Sequence, residues 1–97
     1  MYTGQWANNL LEGVGVYQWK DGKSYRGEWL KNQQNGMGIF VNTDKSTYEG
    51  EYKNDKKDGF GVYIFADGRE FEGWWQNGKQ HGLGILESKG KQKYGVW

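Results

Sequence analysis

The chain has 97 residues, a formal net charge of +1, 17 Gly, no Pro and no Cys. Six Trp, seven Tyr and four Phe supply half of a 35% apolar fraction, so aliphatics are too few for a thick core while rings suffice to coat a sheet. This composition excludes disulfides and thiolate metal sites, a spanning helix of about 18 apolar residues, disorder, and a general nucleic-acid binder, which needs a basic excess.

In chain order, Tyr2-x-Gly4-x-Trp6 comes first and its skeleton returns every 23 residues. The copies are Tyr25-x-Gly27-x-Trp29, Tyr48-x-Gly50-x-Tyr52 and Phe71-x-Gly73-x-Trp75. Each is followed by a Gly-x-Gly partner, at Gly13/Gly15, Gly36/Gly38, Gly59/Gly61 and Gly82/Gly84. A further unit opens one residue early at Gly95-x-Trp97. A fixed period of this size marks an array. The repeats run 2–24, 25–47, 48–70 and 71–92, with a partial fifth at 93–97.

Each repeat reads as two strands, because the alternation has a period of two and no helical period competes with it. In the first strand the ring-Gly-ring positions share one face, and polar residues such as Gln5, Arg26, Glu28, Glu49 and Glu51 take the other. In the second, Gly13, Gly15 and Tyr17 share a face, with Val14 and Val16 opposite; Met37/Ile39, Phe60/Val62 and Leu83/Ile85 repeat that pair. Asp21-Gly22 and Asp67-Gly68 read as two-residue type I′ turns. Asp44-Lys45 and Lys89-Gly90 take that place in the second and fourth repeats. The remaining turns read as polar tips at 8–11, 31–34, 54–57 and 77–80.

The expected fold is therefore all-β: an elongated single-layer antiparallel meander of stacked β-hairpins, one hairpin per 23-residue repeat. Glycine inside a strand costs stability, so its recurrence here calls for a reason. The reason is room: rings such as Trp6 and Trp29 are expected to lie over Gly13 or Gly15 of neighbouring strands. The ring face is expected to be concave, with the aliphatic ridge behind it.

This double motif, recurring in register, resembles the MORN (membrane occupation and recognition nexus) repeat over essentially the whole chain. The departures are Tyr52 for Trp, Leu86 for the second-strand ring, and Lys93 for the Tyr before Gly95. The resemblance implies an elongated antiparallel sheet and a non-enzymatic scaffold presenting an aromatic-lined groove to another protein. It also implies cytoplasmic, cytoskeletal, ciliary or peripheral-membrane settings. The alternatives it carries are a peripheral phospholipid (phosphoinositide)-binding module, or the accessory region of an enzyme whose catalytic domain lies outside these residues.

No residue reads as catalytic, cofactor-binding or metal-ligating. The one histidine, His81, aligns with Glu12, Asn35 and Asp58, the polar residue before each Gly-x-Gly, and reads as a turn residue. Glu28 and Glu51 are repeat-equivalent, as are Glu49 and Glu72. Equivalent positions do not create the unlike environments that a catalytic pair needs. The Gly-x-Gly copies lack the third Gly and the Lys-Ser/Thr of phosphate loops.

Two sets of residues remain as candidate sites. Lys53, Lys56 and Lys57, with Lys89, Lys91 and Lys93, form the clusters that would meet anionic lipid, each charge near a surface contributing about 1 kcal/mol. Asp55 and Asp58 interrupt the first cluster. Trp19, Trp74, Phe65 and Phe60 stand where a single-layer sheet leaves rings uncovered, and form the partner-binding set. The expected partner is another protein, met through the groove or through an exposed sheet edge. Met1 opens directly on a motif Tyr and Trp97 falls halfway through a motif, so the array is expected to continue in a longer protein or to self-associate.

Overall fold

The structure is a computed structural model that describes residues 1–97. Nine strands follow one another in space as in sequence, all antiparallel, in a single sheet without a helix. They are β1 (Tyr2–Ala7), β2 (Leu10–Gln18), β3 (Ser24–Leu30), β4 (Gln33–Val41), β5 (Thr47–Lys53), β6 (Lys56–Ile64), β7 (Glu70–Gln76), β8 (Lys79–Ser88) and β9 (Lys91–Val96). The result is a ribbon of 47 × 25 × 15 Å. The first-strand motif rings fall on one face, with Leu11 and Leu86 packed among them, and Val14, Val16, Met37 and Ile39 fall on the other.

The strand glycines line up. Gly4, Gly15, Gly27, Gly38, Gly50, Gly61, Gly73, Gly84 and Gly95 are successive cross-strand partners, one from every strand. The ring that fills the space above them is not the tryptophan expected from sequence but the first-strand tyrosine. A Cβ on Gly15, Gly38, Gly61 or Gly84 would run into the ring of Tyr2, Tyr25, Tyr48 or Phe71 respectively. The hydroxyls of Tyr2, Tyr25 and Tyr48 donate to the carbonyls of Gln5, Glu28 and Glu51 at 2.8, 3.1 and 3.0 Å. Each ring is thereby pinned flat across the glycine row. Desolvation raises the pKa of Tyr25 and Tyr48, so both phenols stay protonated and keep donating.

The motif tryptophans serve instead as the links between those rings. Edge-on contacts run Tyr2–Trp29, Trp29–Tyr25, Tyr25–Tyr52, Tyr52–Tyr48, Tyr48–Trp75, Trp75–Phe71 and Phe71–Trp97, with centroids 4.8–5.7 Å apart. The Trp29 indole also donates to the Gly15 carbonyl at 3.2 Å. Trp6 closes the chain of rings at the β1 end but remains 59% exposed. Tyr25, Tyr48 and Phe71 are essentially inaccessible to solvent. One layer of rings does the work of a core.

The first glycine of each Gly-x-Gly has a different role. Gly13, Gly36, Gly59 and Gly82 have φ of +81°, +94°, +107° and +87°. At the first three the register slips between Gly4 and Trp6, Gly27 and Trp29, and Gly50 and Tyr52, which marks a β-bulge; β7 slips likewise between Gly73 and Trp75. The bulge turns Gly13 away from Gly15, so the two do not share a face as strict alternation predicts. A Cβ on Gly13, Gly36 or Gly59 would meet Gln5, Glu28 or Glu51 on the polar side.

Most of the turns exchange the roles expected for them, while Lys89-Gly90 keeps the two-residue turn expected. Two consecutive left-handed residues, the mark of a type I′ turn, occur at Asn8-Asn9, Lys31-Asn32, Asn54-Asp55, Asn77-Gly78 and Lys89-Gly90. The tips are thus two residues long rather than four, and Leu10-Leu11, Gln33-Gln34, Lys56-Lys57 and Lys79-Gln80 belong to strands. At Asp21-Gly22 and Asp67-Gly68 only the glycine is left-handed, and at Asp44-Lys45 only the lysine. These loops close instead as Trp19 N–H to Lys23 O, Asn42 N–H to Ser46 O and Phe65 N–H to Arg69 O, at 2.8–2.9 Å. The aspartate decides the difference. Asp21, Asp44 and Asp67 accept the N–H two residues ahead at 3.1, 2.9 and 3.1 Å, an Asx turn that keeps their own backbone right-handed.

These bonds hold the three carboxyls below the ordinary carboxylate value, led at Asp21 and Asp67 by the backbone N–H and at Asp44 by the Ser46 hydroxyl. A pKa lowered on folding adds stability that is fully present above the unfolded value of 3.8 and disappears as pH falls through the folded value. Urea midpoints measured from about pH 6 down to about pH 2 are therefore expected to fall below the ordinary carboxylate range. Asn at 21, 44 and 67 together, which keeps the acceptor and removes the titration, is expected to flatten that fall.

Candidate functional site

The face opposite the rings consists of two rows that cross the sheet. One runs Thr3, Val16, Arg26, Ile39, Glu49, Val62, Glu72, Ile85 and Tyr94, polar and apolar in turn until its last two members. The other contains the bulge residues. There Gln5, Glu28 and Glu51 each reach across the bulge, accepting the N–H of Val14, Met37 and Phe60 at 2.8, 2.6 and 2.7 Å. Glu28 and Glu51, expected as a solvated face, are thus structural acceptors. They separate Val14, Met37 and Phe60 from one another along the row.

At β7 that alternation fails. The residue equivalent to Gln5, Glu28 and Glu51 is Trp74, whose indole has no acceptor for the bulge. Trp74 is the cross-strand partner of Phe60, and their rings meet edge to face at 5.5 Å and 76°. Leu83 and Val96 continue the apolar run on β8 and β9, exposed to 69% and 77%, and Tyr94 of the first row, exposed to 68%, lies beside them. Trp74 itself is 52% exposed. Phe60, Trp74, Leu83, Ile85 and Tyr94 line a shallow hollow of about 310 Å³, in which Glu72 is the only charged side chain.

The four rings of the partner-binding set therefore divide. Phe60 and Trp74 meet on this face. Trp19 and Phe65 lie on the ring face, half-buried, where Trp19 packs on Tyr17 and Phe40 with centroids 4.6 and 5.5 Å apart, and Phe65 packs on Tyr63 at 4.9 Å. Lys23 and Arg69 lie over Trp19 and Phe65 at 5.7 and 4.7 Å. Leu83, Tyr94 and Val96 were not among the candidate residues read from sequence; Leu83 and Val96 continue the row of Trp74, and Tyr94 ends the neighbouring row beside Ile85.

The lysines divide as well. Lys53 and Lys56 flank the β5–β6 turn on one long edge, while Lys89 lies in the β8–β9 turn on the other, followed by Lys91 and Lys93 on β9. Lys57 leaves the cluster altogether. Its ammonium lies 5.3, 5.9 and 5.6 Å from the rings of Tyr48, Tyr63 and Trp75 on the ring face. His81 lies on β8, in the position from which Glu12, Asn35 and Asp58 accept the N–H of Lys31, Asn54 and Asn77 in the following hairpin, at 3.2–3.4 Å. No group of three or more His, Cys, Asp or Glu side chains is placed to hold a metal ion.

A family model described as MORN repeat matches residues 2–24, 25–47, 48–68 and 71–92. Comparison with curated proteins finds no match. Repeats of this family are non-catalytic modules of protein and membrane interaction. Each match begins at the first-strand ring that covers a glycine and spans one hairpin of the sheet. The sequence period, the hairpin and the matched unit coincide four times over: the chain belongs to the MORN repeat family.

Proposed function

We propose that this chain is a protein-interaction scaffold whose partner docks on the face opposite the rings, over Phe60, Trp74, Leu83 and Tyr94. One observation carries the reading. The row that alternates polar and apolar through Gln5, Val14, Glu28, Met37 and Glu51 becomes continuously apolar from Phe60 to Val96. Trp74 causes the change by replacing a bulge acceptor, so the repeat forgoes a structural bond where it gains an exposed ring. Large exposed rings beside a hollow are the usual anchors of protein interfaces. Trp19 and Phe65, packed among the core rings, act on this reading as support for the sheet. The two lysine clusters lie on opposite long edges and do not form one basic patch, so they lend the lipid alternative little support.

The test is pull-down with cross-linking from the native source, comparing Trp74→Gln with Trp19→Ala. Gln restores the residue type of the first repeat and an acceptor for the bulge. Trp74→Gln is therefore expected to leave stability unchanged or raise it by up to about 1 kcal/mol in urea. Affinity is expected to fall about thirty-fold, as for a hot-spot tryptophan. Trp19→Ala is expected to keep the partner. Full partner recovery by folded Trp74→Gln would remove this face from the interaction.

A further inference from the structure

Two departures from the repeat meet on the ring face. Lys57 stands where the other repeats have Leu11, Gln34 and Gln80, and Gly78 stands where they have Asn9, Asn32 and Asp55. The two are joined, the Gly78 N–H donating to the Lys57 carbonyl at 2.8 Å. In the preceding hairpins the side chains of Asn32 and Asp55 also accept the N–H of Leu11 and Gln34, both at 2.7 Å. Gly78 has no side chain for this, and the wall beside Lys57 is lower by that much. A cleft of about 320 Å³ results. It crosses the ring face from Lys56, Lys57 and Gly78 near one long edge, over Tyr48 and Tyr52, to Lys23 near the other.

The charge in this cleft is unbalanced. Lys57 is half-buried, makes no ion pair, and has only the faces of three rings about its ammonium. Desolvation pushes its pKa below the ordinary lysine value. The Trp75 ring beside it carries the one buried side-chain polar atom in the protein without a hydrogen-bond partner, its indole N–H. Asp55 is the single carboxylate on the cleft wall, against Lys56, Lys57 and Lys23, the last of which is already paired with Asp21 at 3.4 Å. A cation already stripped of part of its water attracts a carboxylate more strongly than an exposed lysine does.

We propose that this cleft binds an acidic, extended segment of a partner protein, with a Glu or Asp carboxylate set against the Lys57 ammonium. The site lies on the opposite face from Trp74 and is independent of the docking surface described above. The cleft crosses the sheet between its two long edges, so an extended strand-like segment fits it.

Intrinsic tryptophan fluorescence, titrated with an end-capped octapeptide of alternating glutamate and valine, tests this. The control peptide carries glutamine for glutamate, and phosphatidylserine vesicles form a separate arm. The acidic peptide is expected to bind and its glutamine version to bind at least about ten-fold more weakly, as for loss of a charge-assisted bond. Lys57→Gln is expected to lose a similar factor, and it keeps the residue type found at Gln34 and Gln80. Gly78→Asn keeps every charge and suits the left-handed turn, as Asn32 does, but rebuilds the wall; it too is expected to weaken binding. Equal affinity for the two peptides, no binding of either, full affinity of Lys57→Gln or of Gly78→Asn, or binding of vesicles alone would overturn the proposal.

Discussion

Gly50→Ala is expected to destabilise the sheet by about 3 kcal/mol or more, or to prevent its folding. A Cβ at this position would stand 2.5 Å from the Gly61 Cα, 2.6 Å from the Phe60 carbonyl oxygen and 2.7 Å from the Tyr48 hydroxyl. The first two are backbone atoms of the hydrogen-bonded neighbour strand and cannot swing aside. Relief would require β5 and β6 to part at the centre of the ribbon. Gly68→Ala provides the contrast: it has φ of +94° and nothing within 4 Å of the added carbon. Its cost is only that of a left-handed backbone, about 1–2 kcal/mol. Urea unfolding of the two variants measures the difference. Equal losses would mean that glycine serves this chain only through backbone freedom and not through the space it leaves for the rings.

The second large effect is expected at Tyr48. Truncation to Ala removes a ring with 0% exposure that touches Tyr52 and Trp75 edge-on and covers Gly61. The expected loss is about 3–5 kcal/mol, since the nine-stranded sheet has no second layer to collapse into the space. Tyr48→Phe keeps the ring and loses only the bond to the Glu51 carbonyl, an expected loss of about 1 kcal/mol. The chain contains that comparison already: Phe71 occupies the same place in the fourth repeat, is 1% exposed, and covers Gly84 without a hydroxyl. A large loss in Tyr48→Phe would shift the stabilising role from the ring to its hydrogen bond.

The 23-residue period made the architecture readable, because one hairpin per repeat leaves the chain little choice but a meander. What the period could not convey was local geometry. The Gly-x-Gly string reads as two equivalent strand residues, yet Gly13, Gly36 and Gly59 are left-handed bulge residues while Gly15, Gly38 and Gly61 lie under rings. A signal was present in the Gln5, Glu28 and Glu51 series, an acceptor always one residue past the first-strand glycine. Asp-Gly at 21–22 and 67–68 suggested type I′ turns, but the carboxylate's bond to the N–H two residues ahead keeps Asp21 and Asp67 right-handed.

That exchange of turns has a consequence for the candidate sites. With a four-residue tip, Lys57 belongs to an exposed lysine cluster; with the two-residue tip Asn54-Asp55 it becomes the second residue of β6 and falls among Tyr48, Tyr63 and Trp75. The placement of Trp19 and Phe65 has a related cause. They stand at the ends of second strands, where sequence suggests exposure, but each lies against the ring before it on the same face. The exposure of Trp74 was legible because it breaks a polar position. The neighbours that join it, Leu83, Tyr94 and Val96, are ordinary residues taken singly, and only their cross-strand alignment makes them a surface.

The repeats build the sheet, and on the function proposed above the departure at Trp74 gives it a binding face. Site-specific photo-cross-linking tests this most directly, with one benzoylphenylalanine placed in turn at positions 5, 28, 51 and 74 of the folded protein in its native cell type. These positions are repeat-equivalent and share a face; at 5, 28 and 51 the probe removes a bulge acceptor, whereas at 74 it replaces one ring by another. Cross-linking to a protein at 74, and little at 5 or 28, is the predicted result. Equal cross-linking at all four positions, or none at 74 while 5 and 28 react, would contradict it.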